Sequence, residues 1–387
     1  MRKILALSIL AAGLLLTLAD FTWSGGKDPR GTYTFYAGSG SGRQVYSIFF
    51  CEFDPSGAAI TVLDSFAGAT GSGYLDLSPD GSSLYATSTA PVPGDPDHNS
   101  VTAFRVSRED HSLQLLNHQS SQGSGPCHLK VSPAGDFLFV ANYNSGQAAV
   151  LPIAGDGSIK EASDVVRGEG NGPVKGRQEG PHMHQVMTDP SGKYLLVPDL
   201  GTDKVMNYVL DHETGTLTPN PEQPFLAMVP GAGPRHLAFH PSGKYVYIVS
   251  ELNATVTACS FNPETGVLSV INSAGTVEDD FTGKRQSAAA RVHPGGRFVY
   301  ASNRDDESNL AVFSVEADGG LSRIQIVKDI PYWPRDFNLT PDGKYLLVEG
   351  ERANVVEVFQ VDAVTGRLSK TGIRASLPSP THILFTD

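Results

Sequence analysis

At 387 residues the chain is longer than most single domains, yet only 18% of it is charged and it carries 41 glycines and 26 prolines, a composition of many short strands and turns. A formal net charge of −12 excludes a broad nucleic-acid-binding surface, which needs clustered lysine and arginine against phosphates. The three cysteines, Cys51, Cys127 and Cys259, are too few and too scattered for a disulfide framework or a zinc site, and Cys51 and Cys259 read as small buried hydrophobes.

The chain opens with Arg2-Lys3, an apolar run from Ile4 to Leu18 and a polar turn at Asp20, the pattern of a secretory signal over residues 1–19 with cleavage after Ala19. A run this short falls below the roughly 20 residues that a membrane span needs. The protein is therefore expected to be exported, periplasmic or secreted, with no stable membrane association once the signal is removed. Residues 20–32 read as a flexible lead-in and residues 33–387 as one domain.

Within that domain a short phrase recurs six times: Pro79-Asp80-Gly81, Pro133-Ala134-Gly135, Pro190-Ser191-Gly192, Pro241-Ser242-Gly243, Pro294-Gly295-Gly296 and Pro341-Asp342-Gly343. The prolines stand 54, 57, 51, 53 and 47 residues apart, the period of a four-stranded β-propeller blade. Propellers grow by adding blades radially, so the length implies no second domain.

The repeat around Pro241 shows the four strands. His236 to Phe239 form the first, the Pro241 turn leads into a second from Tyr245 to Ser250, a third covers Thr255 to Asn262, and Pro263-Glu264-Thr265-Gly266 turns into a fourth from Val267 to Ser273. At the N-terminal end, Tyr33 to Phe66 holds three strand-like runs with a turn at Asp54-Pro55-Ser56-Gly57. Pro380 to Phe385 at the other end resembles a lone first strand. Together they predict a seventh blade, giving an all-β, seven-bladed propeller of four antiparallel strands per blade, closed by strands from both termini so that no sheet edge is left open.

The repeat prolines also serve as a ruler. The start of a first strand and the end of a second lie at the same end of the propeller. Six residues before each proline stand Gly73, Cys127, His184, Arg235, Ala288 and Arg335, and ten residues after stand Thr89, Tyr143, Leu200, Glu251, Arg304 and Glu351. Bases at one position and acids with an arginine at the other depart from the uniform small or apolar residue that packing favours. His184, Glu251, Arg235 and Arg304 are the candidate catalytic groups, and Arg335, Glu351 and Tyr143 candidate substrate-binding groups. Five residues before the proline, His128 and His236 recur in a Pro-x-His setting matched by His382, which reads as a shared structural hydrogen bond. His184 sits one residue earlier, and strand alternation is expected to turn it the other way.

The glycine-rich insertion from Arg167 to Pro181 carries Lys175, Arg177 and Glu179 and joins two blades at that same end, as a rim or lid over the site. Arg177 is a candidate substrate-binding residue. His182, two before His184, either shares proton transfer or fixes the loop.

Gln178-Glu179-Gly180-Pro181-His182-Met183-His184, Val197-Pro198-Asp199-Leu200-Gly201-Thr202-Asp203-Lys204 and Gly233-Pro234-Arg235-His236-Leu237-Ala238-Phe239-His240-Pro241, followed by Tyr300-Ala301-Ser302-Asn303-Arg304 and Pro334-Arg335-Asp336-Phe337, resemble the seven-bladed lactonase family. That family includes propeller-type 6-phosphogluconolactonases and fungal 3-carboxymuconate lactonising enzymes, and the resemblance runs from about Tyr33 to the C-terminus. It implies a histidine, an arginine, a glutamate and a further arginine at His184, Arg235, Glu251 and Arg304, the four that the ruler selects. Arg285 to Ala290 lacks an acidic residue common in lactonase members, and Cys127 replaces a small polar residue.

Arginines around one glutamate and one histidine suit an anionic substrate whose carbonyl must be polarised. Lactone hydrolysis is the first reading, with Glu251 or His184 activating water and Arg235 and Arg304 holding a carboxylate or phosphate and the oxyanion. No metal or other cofactor is called for, since no clustered ligand spacing occurs. No Gly-x-Ser-x-Gly elbow supplies a nucleophilic serine. Two alternatives use the same residues: a carboxymuconate-type cycloisomerase, and a non-catalytic exported propeller that binds a ligand or partner. The expected partner is a small anionic lactone or carboxylate, with no nucleic acid, and the expected oligomeric state is a monomer or weak dimer.

Overall fold

A computed structural model describes residues 31–40, 45–92, 99–304, 306 and 308–386. The expected signal, residues 1–19, and most of the expected lead-in lie outside the described residues. Thr32, at its end, is buried and donates to a Glu52 carboxylate oxygen at 3.3 Å.

The described residues form seven separate sheets with no helix. Blade 1 runs from Leu75 to Ser120, blade 2 from Pro126 to Arg167, blade 3 from Met187 to Ala227, blade 4 from Pro234 to Gly275, blade 5 from Ser287 to Val327 and blade 6 from Pro334 to Ser376. Each holds four antiparallel strands in sequence order, and blade 3 adds a fifth, Phe225–Ala227, beside its third. Blade 7 takes its first strand, Pro380–Phe385, from the C-terminus and its other three, Tyr33–Ser39, Tyr46–Asp54 and Ala59–Ala67, from the N-terminal side. The closure expected from the sequence is therefore present: Tyr36 pairs with Leu384 and Phe35 with Phe385.

Turn chemistry explains the recurring phrase. In all six Pro-x-Gly turns the glycine has positive φ, between 68° and 78°, a conformation that side chains with a Cβ rarely adopt. Burial explains the hydrophobic runs between turns. A second strand such as Phe137–Asn142 is sandwiched between two neighbouring blades and is buried throughout, whereas the fourth strand Ala59–Ala67 faces water and is mostly exposed. Seven apolar clusters fill the seven seams between blades, for example Phe298, Tyr300 and Leu310 of blade 5 against Phe337, Leu346 and Phe359 of blade 6. Several seams carry a tyrosine latch. The hydroxyls of Tyr36, Tyr85, Tyr247 and Tyr300 each donate to a carbonyl in the outer hairpin of the next blade, at His111, Gly157, Gly319 and Gly366, over 2.7 to 3.2 Å.

The first strands begin irregularly, and this irregularity positions the site. Pro126 pairs with Asn142 but His128 with Ala141, so Cys127 is an extra residue, and Arg235 is extra in the same way between Pro234 and His236. Blades 5 and 6 slip over Ala288-Ala289 and Arg335-Asp336. A β-bulge bends its strand and re-aims the inserted side chain. The alternation argument that set His184 apart from the recurring histidines therefore fails. Blade 3 departs further, since its first strand is only Met187–Thr188 and His184 precedes it, held by its backbone N–H to the Pro198 carbonyl at 2.9 Å.

The expected shared hydrogen bond of His128, His236 and His382 is also absent. His382 Nδ1 meets Asp336 Oδ2 at 2.9 Å, His236 Nε2 lies 3.3 Å from Arg235 Nη1, and neither ring nitrogen of His128 has a partner. What the three share is a place. Their rings surround Tyr74, with centroids 3.9, 6.5 and 3.8 Å away for His128, His236 and His382, where first strands of blades 1, 2, 4 and 7 converge at the centre of the ring. Contact with one aromatic ring, stacked for His382, tilted for His128 and edge-on for His236, accounts for their recurrence where a common acceptor does not.

Candidate active site

A cavity of about 360 Å³ opens at the end of the ring where first strands begin and second strands finish, lined by Cys127, Tyr143, Asn144, Arg177, His184, Glu251, Arg304 and Arg335 together with Gly125 and Pro126. A larger groove of about 690 Å³ lies between blades 1 and 2 at the opposite end. Its Asp80 and Asp156 carboxylates are engaged by serines of their own turns, and it gathers none of the candidate residues.

Glu251 is the hub of the cavity. Its carboxylate meets Arg177 Nη2 at 2.6 Å, Arg304 Nη2 at 2.8 Å and Arg235 Nε at 3.0 Å. These arginines come from the insertion, from blade 5 and from blade 4, so one side chain ties three segments together. Burial pushes the Glu251 carboxyl up, but the guanidiniums of Arg304, Arg235 and Arg177 more than reverse this and hold it down at about 2. Arg235 is 1% exposed and lies beneath the cavity rather than on its wall. Burial and the neighbouring Arg304 and Arg335 lower its pKa to about 9, and its Nη1 donates to the Ala288 carbonyl at 2.5 Å. Arg304 is lowered by burial as well.

His184 is buried against this cluster. Desolvation, then the charges of Arg235, Arg335 and Arg304, depress its pKa well below the ordinary imidazole value, so the ring is neutral at physiological pH. Its ring stands edge-on to Tyr143, 5.3 Å between centroids, and to His236, 5.2 Å. Cys127 donates its thiol to the His184 carbonyl at 3.3 Å, and burial raises its pKa to about 11, so it is a protonated wall group rather than a nucleophile.

The insertion is a docked rim. Gln178 is buried and donates to the Leu200 carbonyl at 2.7 Å and to Asp203 Oδ1 at 2.8 Å, which holds the neighbouring Arg177 over Glu251. The fit is close: a Cβ on Gly201 would stand 1.8 Å from the Gly180 carbonyl oxygen. Asp203 also accepts from the N–H groups of Gly231 and Gly233 at 2.6 and 2.7 Å, fixing the entry to the strand that carries Arg235. Asp199 accepts from the backbone N–H of His182 at 2.7 Å and of Gly201 at 3.0 Å.

His182 stacks on Tyr143 with centroids 4.5 Å apart and donates Nδ1–H to the Tyr143 carbonyl at 2.9 Å, so it fixes the rim without lining the cavity. Glu351 is likewise outside the lining and pairs with Arg335 at 4.0 Å, the long limit of an ion pair. The structure thus gathers His184, Glu251, Arg304, Arg335, Arg177 and Tyr143 on one wall, with Arg235 beneath and His182 and Glu351 at the margin. The sequence reading missed Asn144, Trp333 and Arg352. Asn144 follows a candidate directly, whereas nothing in the sequence marks Trp333, whose φ of 64° is rare for an aromatic residue. Among the described residues no group of three or more His, Cys, Asp or Glu side chains is placed to hold a metal ion.

Fold and cavity together define a seven-bladed propeller with an arginine-rich cavity at one end. The family described as "Lactonase, 7-bladed beta-propeller" matches residues 30–385, and the chain belongs to that family. A 6-phosphogluconolactonase of Bacillus subtilis (strain 168) is 35% identical over 356 residues, covering 92% of this chain and 97% of the relative. A Bacteroides fragilis structure described as a candidate 6-phosphogluconolactonase superposes with a TM-score of 0.84 at 32% identity, covering 92% of this chain and 98% of the other. The structure of a Pseudomonas aeruginosa periplasmic gluconolactonase gives a TM-score of 0.84 at 28% identity, covering 92% and 99%.

Proposed function

We propose that this protein is a metal-independent lactone hydrolase that opens an anionic sugar lactone, or a related lactone, by water attack in the cavity around His184. The observation that carries the reading is a neutral imidazole on the wall of an arginine cage whose central carboxylate is fully engaged. Glu251, held at about 2 by its three guanidiniums, is a weak base. His184, a neutral imidazole on the cavity wall with no carboxylate partner, is the group we assign to accept a proton from water.

In this mechanism the attacking water loses its proton to His184 as its oxygen adds to the lactone carbonyl. Arg304 and Arg335 stabilise the oxyanion and the anionic substituent, and each such donor contributes about 3 kcal/mol to lowering the barrier. Collapse breaks the ring C–O bond, and imidazolium returns the proton to the departing alkoxide. The product hydroxy acid then ionises. Glu251 orders the arginines before substrate arrives, so no reorganisation is needed during reaction. Four arginines, Arg177, Arg235, Arg304 and Arg335, stand against two acids, Glu251 and Glu351, an excess of positive charge that suits a carboxylate or phosphate on the substrate. The relatives named 6-phosphogluconolactonase support that class.

Export is part of the proposal. It is supported by the Arg2-Lys3 and Ile4 to Leu18 pattern and by a structural relative that is periplasmic. The test is a pH-stat assay of mature protein with 6-phosphogluconolactone, unphosphorylated gluconolactone and a carboxymuconate, with and without EDTA. Catalysed opening of a lactone, unchanged by EDTA and lost in His184→Asn, is expected. Ring closure of carboxymuconate without lactone opening replaces hydrolysis by cycloisomerisation, and binding without turnover of any of them leaves a ligand-binding propeller. N-terminal sequencing of protein recovered from outside the cytoplasm decides cleavage after Ala19.

A further inference from the structure

Trp333 occupies a costly backbone conformation two residues before Arg335 of the cavity wall. A positive φ in a bulky residue is strained and persists only where the surroundings fix it. Here the surroundings do. Its backbone N–H donates to Ser308 Oγ at 3.1 Å and its carbonyl accepts from the Glu351 backbone N–H at 3.1 Å. The turn that carries it nests against Gly350, where an added Cβ would lie 2.5 Å from Pro331 and 3.2 Å from the Tyr332 carbonyl. The next two residues are Pro334, the start of blade 6, and Arg335, on the cavity wall.

The indole, 8% exposed, carries two cations. The guanidinium carbon of Arg352 lies 3.3 Å from the ring centroid and that of Arg304 lies 5.4 Å away. Arg304 in turn holds Glu251. Attraction to a ring face acts on the positive charge of a guanidinium and uses none of its N–H donors, so an arginine held this way keeps those it has not already committed, as Arg304 commits Nη2 to Glu251. Arg352 is exposed and lies outside the Glu251 cluster.

We infer that Trp333 is a positioning residue of the cavity: it holds Arg304 and Arg352 on one aromatic shelf, beside Arg335, so that their charge meets an anionic group of the ligand. The inference rests on the proposed lactone site for its place in catalysis, but the shelf and its anion are testable without turnover.

The experiment uses full-length protein and inorganic phosphate as the probe, measured by calorimetry, alongside lactone turnover. Trp333→Phe keeps an aromatic face and should stay within about twofold of the parent, whereas Trp333→Leu should bind phosphate about three- to tenfold more weakly and raise KM with a smaller change in kcat. In a Trp23→Phe background, where Trp333 is the remaining tryptophan, its emission should shift saturably with phosphate. Parental phosphate affinity in Trp333→Leu, equal loss in the Phe and Leu variants, or no phosphate response in the parent overturns the inference. Should Trp333→Leu not fold, Arg352→Gln at the exposed end of the shelf decides: weaker phosphate binding supports the shelf, and unchanged affinity overturns it. A parent that opens no lactone but shows this phosphate series sinks the hydrolase reading and leaves the shelf standing.

Discussion

Arg304 of blade 5 stands 2.8 Å from the carboxylate of Glu251 in blade 4, and both side chains are almost wholly buried. The same carboxylate holds two more arginines, so removing its charge leaves three cations around a neutral amide. Glu251→Gln should cost about 3 kcal/mol or more in unfolding free energy, the effect of breaking a buried ion pair from one side. Turnover should fall at least about a hundredfold as the arginines lose their order. Inorganic phosphate should bind no more weakly, because an anion can replace the lost charge. Urea unfolding, lactone kinetics and phosphate calorimetry on one preparation check the three together, and wild-type turnover in the variant would remove Glu251 from the mechanism.

The depressed pKa of His184 sets a pH dependence. A base protonated only well below the ordinary imidazole value keeps its free lone pair through the neutral and mildly acidic range. The acid limb of kcat/KM, after subtraction of uncatalysed opening, should therefore fall well below pH 6.5. An acid limb centred near pH 6.5 would assign the proton transfer to a different group.

At the centre of the ring, Glu349 is buried beside Asp336. Burial and then the Asp336 charge raise the Glu349 carboxyl well above the usual range, while Arg291 and His382 offset burial and keep Asp336 ionised. Because the folded state holds the Glu349 proton more tightly than the unfolded chain, where the pKa is about 4.3, its contribution is full at acidic pH and declines as pH rises toward the folded value. Glu349→Gln should remove that decline. Urea midpoints at pH 5 and pH 8 should lie closer together in the variant than in the parent, and equal spacing would show that Glu349 ionises normally.

Tyr300 is wholly buried and latches blade 5 to the Gly366 carbonyl of blade 6 at 3.0 Å. Tyr300→Phe keeps the ring and leaves that carbonyl without its donor, a loss of about 1–2 kcal/mol. Denaturant unfolding measures it, and a change below about 0.3 kcal/mol would mean that water replaces the hydroxyl.

Much of the fold is legible in the chain. The Pro-x-Gly phrases mark first hairpins because the glycine must take positive φ, and their even spacing counts blades because each blade is one such unit. The orphan first strand at Pro380 likewise reveals the closure. The site was legible in part, since the ruler finds strand ends irrespective of what they touch. It selected Arg235 and Glu251, yet it gave no reason to separate Arg235 under the cavity from Arg335 on its wall. It failed where alternation was assumed: the bulges at Cys127 and Arg235 place consecutive residues, Arg235 and His236, in contact with one another. Trp333 carried no signal, because its role depends on a backbone conformation and on two arginines from other segments.

By itself the sequence determined the blade count, the strand order and the end of the ring where charged residues collect, because turn chemistry and hydrophobic patterning act over a few residues and repeat. Only the tertiary structure decided which groups meet, which carboxylate is committed to arginines and which imidazole is neutral. Those properties arise from side chains brought together from separate blades, 53 residues apart for Glu251 and Arg304, and from the exclusion of water around them.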